Sequence, residues 1–170
     1  TFRSAINGLQ ERIGRLTAQR DGLHERLAVA AGRVTPSPPV RGSTDPQHLV
    51  GTPVPRLDFY ATDGRPVDLG ALGPGRSVVF VYPFTGRPGV DLPGSLLEIV
   101  GARGSTEQAS WFRDHHAELR SAGAARVFGL SAQSAGYQRE LVHRLQLPYP
   151  LLPDPRMTLA AALGLPTFGA

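Results

Sequence analysis

Two serines, Ser105 and Ser110, precede a run of polar residues, Arg113-Asp114-His115-His116. Serine with histidine and aspartate suggests hydrolytic chemistry, and paired histidines suggest a metal site. The spacing argues against both. If residues from about 106 to 121 form one helix, Ser105 and His115 lie about 15 Å apart along its axis, and adjacent histidines point about 100° apart. We therefore expect both histidines to be solvated or partly packed.

Ser105 also fits a structural pattern. Ser105-Thr106-Glu107-Gln108 matches the S-x-x-Q capping box, in which the serine and glutamine side chains bond to backbone amides at a helix start. A serine hydroxyl is too weak an acid to ionise at such a position. The sequence as written predicts that Ser105 caps a helix and that Ser110 is an ordinary helical residue.

The segment around the serines nevertheless resembles an active-site motif. The stretch from Gly101 to Asp114, G-A-R-G-S-T-E-Q-A-S-W-F-R-D, is similar to the G-C-T-x-x-A-C-x-F-R-D stretch of the atypical two-cysteine peroxiredoxins, the bacterioferritin-comigratory group. Further pieces between about residues 50 and 165 are similar in the same order: V-F-V-Y-P at 79–83, R-V-F-G-L-S at 126–131 and L-L-P-D at 151–154.

The resemblance implies a thioredoxin-like (peroxiredoxin) α/β fold, in which helices flank a central sheet. It also implies a thiol-dependent peroxidase, which reduces hydrogen peroxide or organic hydroperoxides with an external thiol reductant such as a thioredoxin-like protein. No cofactor and no metal are expected.

The same resemblance assigns site residues. It places Ser105 at the position of the peroxidatic cysteine and Ser110 at that of the resolving cysteine, while Arg103 adds positive potential. The implied substrate pocket comprises Tyr82, Pro83, Gly104, Thr106 and Pro166. In the thioredoxin fold, the element resembling Leu165-Pro166-Thr167 carries a cis proline.

Some positions depart from the family pattern. Ala102 and Arg103 stand where the family has Thr-Pro. A segment that resembles the family's usual active-site loop, Thr85-Gly86-Arg87-Pro88-Gly89, lies well before them, as if residues had been inserted between this loop and the helix. The family's catalytic arginine follows the last helix predicted here. It is therefore expected beyond Ala170, and the domain is expected to lack its final strands.

The spacing of the two serines predicts a conformational switch for cysteines at these positions. Residues five apart on a helix have Cα atoms about 8–9 Å apart, whereas a disulfide tolerates at most about 6.8 Å. Cysteines at 105 and 110 could therefore join only if the first helical turns unwound.

With serine at both positions and no cysteine anywhere, the chain as written is expected to be inactive. Two origins stay open: engineered replacement of the cysteines, or a natural cysteine-less protein that acts as a binding or assembly module. Non-redox chemistry in the pocket near Arg103 is a weaker third alternative.

Hydrophobic periodicity predicts the elements that position these residues. Two half-buried strands flank a turn at Asp63-Gly64, and a continuous apolar run at 77–82 predicts a buried central strand. Further strands are predicted at 126–130 and around 149–152, with helices at about 106–121, 134–146 and 156–164. Alternating strands and helices predict a sheet with helices on both faces.

The N-terminal part has a different organisation. Residues 1–34 are predicted as an amphipathic helix, whose apolar seam from Phe2 to Val34 suits either packing on the domain or a homodimer. Residues 35–48 form a proline-rich linker, and residues 49–170 form the peroxiredoxin-like domain.

Charge and composition argue against two classes of protein, those that bind nucleic acids and those that span a membrane. The net charge is +4, but all 18 basic residues are arginines and they are scattered, so no nucleic-acid partner is expected. The sequence has no apolar run long enough to span a membrane, and its Ala, Gly, Pro and Arg usage suggests a GC-rich genome. A cytoplasmic bacterial protein is expected.

Overall fold

The computed structural model describes residue 15 and residues 45–90 and 105–167. The β-strands are β1 Asp58–Tyr60, β2 Pro66–Asp68, β3 Arg76–Val81, β4 Ala124–Ser131 and β5 Leu151–Pro153. The α-helices are α1 Ser105–Asp114, α2 His116–Ser121, α3 Ala135–Leu145 and α4 Thr158–Leu163. Short 3-10 helices cover Pro46–Leu49 and Leu69–Ala71.

The predicted N-terminal helix lies outside the described residues except for Arg15, which is helical. Most of the predicted linker also lies outside them. Its last residues belong to the 3-10 helix Pro46–Leu49, where the Asp45 carboxylate accepts a hydrogen bond from the Gln47 amide. No helix among the described residues is long and apolar enough to cross a membrane.

Strands β3, β4 and β5 form a parallel sheet in that order, and β1 and β2 form a separate antiparallel hairpin. The hairpin prediction is confirmed, with Gly64 at φ +85° in the turn, a backbone angle that glycine adopts without strain. Among the described residues β4 lies between β3 and β5. In β3, Phe80 is buried, whereas Val81 at its end is 45 % exposed. The central position predicted for β3 stays a prediction.

The sheet separates two hydrophobic cores because successive side chains of a strand point to opposite faces. Helices α1, α2 and α3 cover one face through Phe112, Leu119 and Leu141. The hairpin and α4 cover the other face through Phe59 and Leu159. Helices therefore lie on both faces, as predicted.

Gly129 allows the first core to close. A Cβ atom at this position would lie 2.6 Å from both the Phe80 ring and Leu151 Cδ2. The missing side chain leaves room for Phe80 to stack on Phe112, with ring centroids 4.1 Å apart. This stack fixes α1 against β3.

The helix predicted at about 106–121 is in fact two helices, α1 and α2, separated at His115. The His115 ring stacks on Trp111 at 4.1 Å, and its Nδ1 lies 2.9 Å from the Trp111 carbonyl oxygen. Helix α4 begins later than predicted, because Met157 has a left-handed backbone conformation with φ 52°. The predicted strand at 149–152 is shifted to 151–153.

Candidate functional site at the start of α1

Ser105 lies at the first turn of α1, where the helix meets the loop that follows β3. Its side chain is only 1 % exposed, and its Oγ accepts a hydrogen bond of 3.4 Å from the Phe84 amide. The first amides of a helix have no intrahelical partner and carry the positive end of the helix dipole. An anionic atom at this position would therefore be stabilised from two directions.

Gln133, just beyond β4, fixes the loop that carries this amide. Thr85 is fully buried, and its amide and hydroxyl donate to Gln133 Oε1 at 3.0 and 2.9 Å. In return, Gln133 Nε2 donates to the Thr85 carbonyl at 3.1 Å. The loop is thereby attached to the carboxyl end of β4.

A second set of contacts ties the loop to α3. The Tyr137 hydroxyl donates to the Thr85 carbonyl at 2.7 Å, and Arg144 donates to the Gly86 carbonyl at 3.0 Å. Arg87 lies over the Tyr137 ring at 4.2 Å and pairs with Glu140 at 3.3 Å. The exposed ion pair adds little stability, but together these contacts restrict the loop to one conformation.

Tyr82 lies beneath this loop and is 1 % exposed. Burial raises the pKa of Tyr82 to about 12, so the phenol stays protonated at neutral pH. Its hydroxyl is near Ser131 but makes no hydrogen bond of normal geometry to any residue that the structure describes.

Comparison with known proteins supports the resemblance found in the sequence. No family model matches the chain. Peroxiredoxin Q, chloroplastic, of Sedum lineare is 28 % identical over 143 residues, which are 84 % of this chain and 68 % of that protein. Peroxidoxin BcpB of Mycobacterium tuberculosis has a TM-score of 0.52 and 26 % identity over 73 % of this chain and 65 % of that one. Over most of its length the chain is thus similar to peroxiredoxins.

The fold prediction is confirmed as well, since these neighbours have the thioredoxin-like α/β fold. Xanthomonas campestris bacterioferritin comigratory protein, whose structure was studied for its alkyl peroxide reduction activity, has a TM-score of 0.50 and 23 % identity. The match covers 62 % of this chain and 57 % of that one, and at this identity it supports the fold alone.

The remaining predicted site residues are distributed as follows. Thr106 and Ser110 are half-buried on α1, and Pro83 is exposed just after Tyr82. Arg103 and Gly104 lie outside the described residues. Pro166 is exposed after α4, and its predicted cis peptide bond is wrong, because the described residues contain no cis bond.

Whether Ser105 is the N-cap depends on the residue before it. The structure already counts Ser105 as helical, which would place the cap at position 104, outside the described residues. The capping box of Ser105 with Gln108 stays a prediction.

The residues after Ser110 hold α1 in place. Arg113 donates to the Leu145 carbonyl at 3.0 Å, at the carboxyl end of α3, where a cation is favoured. The neighbouring guanidinium of Arg113 lowers the pKa of Asp114. The Tyr149 hydroxyl donates to the Ala109 carbonyl at 2.6 Å, between the two predicted cysteine positions.

A cleft in the described part of the chain lies elsewhere. A cleft of about 590 Å³ opens between the hairpin and α2, with Arg65, His116, Arg120 and Arg126 in its lining. Phe84, Gln133 and Tyr137, which bond to Ser105 or Thr85, do not line it. This cleft is therefore separate from the hydrogen-bonded loop at the start of α1.

Sequence reasoning missed Gln133, Tyr137 and Arg144. One signal was available, since parallel strands end at the same edge of a sheet. This rule brings residues that follow β4, such as Gln133, close to residues that follow β3, such as Thr85.

Proposed function

We propose that the chain is a thiol peroxidase domain in which serine replaces the peroxidatic cysteine at 105 and the resolving cysteine at 110. The observation that carries the proposal is the buried position of Ser105 at a helix start, with the Phe84 amide directed at its Oγ. This is an environment that lowers the pKa of a thiol. Because a hydroxyl does not ionise there, the chain as written reduces no peroxide.

The chemistry requires a thiolate at 105. It attacks one peroxide oxygen and breaks the O–O bond, which yields a sulfenic acid and, after protonation, water or an alcohol. A thiol at 110 then displaces water from the sulfenic acid and forms a disulfide. An external dithiol reduces the disulfide and is itself oxidised.

Hydrogen peroxide and alkyl hydroperoxides are the proposed substrates. The similarity to peroxiredoxin Q of Sedum lineare, which extends over 84 % of this chain, supports this class. A thioredoxin-like reductant, a cytoplasmic location and a homodimer through residues 2–34 remain predictions.

The test restores the thiols. Ser105→Cys/Ser110→Cys should consume hydrogen peroxide or an alkyl hydroperoxide with turnover when a dithiol reductant is supplied. Ser105→Cys alone should react once per chain and then require a reductant for its sulfenic acid, while Ser110→Cys alone and the serine chain should show only the background rate. Turnover by Ser110→Cys alone, or none by the folded double variant, would refute the proposal.

A further inference from the structure

The side-chain amide of Gln133 binds the Thr85 residue as a neighbouring β-strand would. Its oxygen accepts from the Thr85 amide at 3.0 Å, and its nitrogen donates to the Thr85 carbonyl at 3.1 Å. Both backbone polar groups of Thr85 are thus paired with one side chain. The Thr85 hydroxyl adds a third bond to the same oxygen at 2.9 Å.

Gln133 is itself held firmly. The backbone amide of Gln133 donates to Ser131 Oγ at 3.2 Å, and its backbone carbonyl accepts from Gln138 Nε2 at 2.9 Å. Gln133 and Gln138 are 7 % and 0 % exposed, so water competes little for these bonds. Gln133 therefore fixes the position of Thr85 relative to the carboxyl end of β4.

The residue before Thr85 is Phe84, whose amide donates to Ser105 Oγ. Because the backbone amide and carbonyl of Thr85 are both hydrogen-bonded, the backbone of the preceding residue, Phe84, has little conformational freedom. The direction of the Phe84 amide therefore depends on the contacts of Thr85. We propose that Gln133 is a positioning residue for the nucleophile at 105, because it holds the Phe84 amide where it donates to a thiolate. This inference rests on the proposed function.

The oxygen at 105 is a modest acceptor, whereas a thiolate would gain more from the same amide. Hydrogen bonds to charged groups are stronger than bonds between neutral groups. Loss of the fixed amide should therefore raise the thiol pKa at 105. It should not remove the contribution of the helix terminus, which does not involve Gln133.

The experiment measures the thiol pKa at 105 from the pH dependence of alkylation in the Ser105→Cys background. Gln133→Met removes the amide with little change of size and should raise that pKa by about 1 unit. Gln133→Asn keeps the amide but shortens its reach, and it should raise the pKa in the same direction. It provides the test if Gln133→Met does not fold.

Gln138→Met is the matched control. It removes an equally buried amide from the same network, but Gln138 contacts Ser131 and Gln133 rather than Thr85. Because Gln138 holds only the backbone carbonyl of Gln133, and the Gln133 side chain keeps its bonds to Thr85, the thiol pKa in this variant should rise by clearly less than in Gln133→Met. An equal shift would assign the effect to general loosening and overturn the proposal.

The two possible failures can be told apart. A thiol at 105 with an ordinary pKa of about 8.5 in the presence of native Gln133 would overturn the proposed function. A low thiol pKa that the Gln133 variants leave unchanged would overturn only the positioning role.

Discussion

At position 105, the nature of one atom separates a helix-start residue from a nucleophile. The surroundings that would stabilise an anion, a helix terminus and the Phe84 amide, are present around a serine hydroxyl. Because a serine hydroxyl does not ionise here as a thiol would, the helix terminus and the Phe84 amide have no anion to stabilise. The sequence indicated this position through its similarity to the peroxiredoxin motif, and the structure adds the direction of the amide.

Tyr82 offers a test of a buried hydroxyl that has no hydrogen-bond partner among the described residues. Tyr82→Phe should leave the free energy of unfolding unchanged or raise it by up to about 1 kcal/mol, because it removes a buried polar group that lacks such a partner. Urea denaturation measures this. A loss of stability would show that the hydroxyl has a partner.

Tyr149→Phe is the matched comparison, since its hydroxyl is buried and donates to the Ala109 carbonyl. It should lower the free energy of unfolding by about 1–2 kcal/mol. Equal effects of the two substitutions would contradict the different pairing of the two hydroxyls.

The residues that surround position 105 show where prediction from sequence ends. Tyr82 and Ser105 could be found because they lie within motifs. Gln133 and Tyr137 contact Thr85 across 48 and 52 positions of the chain, and no local pattern encodes such a contact. Only the order of the strands brings these residues together.

At the level of the elements, periodicity located most strands and helices to within a few residues. It missed the break at His115, where the ring stacks on Trp111 and no helix-breaking residue marks the position. An apolar run indicates burial but does not give the order of strands in a sheet, and among the described residues β4 lies between β3 and β5.

Gly129 tests the packing between β4 and its neighbours. Gly129→Ala should destabilise the protein by about 1–3 kcal/mol, as expected for overpacking, because the new methyl group would collide with Phe80 and Leu151. Thermal or urea denaturation measures the loss.

Gly136→Ala serves as the control for this substitution. A Cβ atom at Gly136, near the start of α3, would meet nothing within 4 Å, and alanine favours helix by up to about 1 kcal/mol over glycine. The control should therefore be neutral or stabilising. A tolerated Gly129→Ala would contradict the close packing of Phe80.

At the scale of the whole molecule, His48 connects the segment before the domain to α4. Its Nδ1 lies 2.6 Å from the Asp45 carbonyl oxygen and its Nε2 lies 2.9 Å from that of Leu163. Both partners are acceptors, and only the protonated ring carries two N–H donors. The hydrogen bond to the Asp45 carbonyl is the main cause of the raised pKa of His48, followed by that to Leu163.

A raised pKa in the folded state means that the connection stabilises the fold fully below the unfolded value of 6.5. The stabilisation is lost as the pH rises through the folded pKa. Hydrogen exchange of the Val50 and Thr52 amides, which close this turn, should therefore accelerate above that range beyond the intrinsic pH effect. His48→Ala should remove the excess, and His143→Ala, at an exposed histidine on α3, should not. Identical pH profiles for the parent and His48→Ala would contradict the connection.

The central claim, that positions 105 and 110 are the two thiol positions of a peroxidase helix, is tested most directly by oxidising Ser105→Cys/Ser110→Cys with one equivalent of peroxide. Mass spectrometry should find a disulfide between the two positions, formed through a sulfenic acid at 105. Since residues five apart on a helix are too far apart to join, the amides of residues 105–112 should exchange faster after oxidation. The serine chain should show no change with peroxide. A sulfenic acid at 110 with the thiol at 105 still reduced, or a peroxide response of residues 105–112 in the serine chain, would contradict the account.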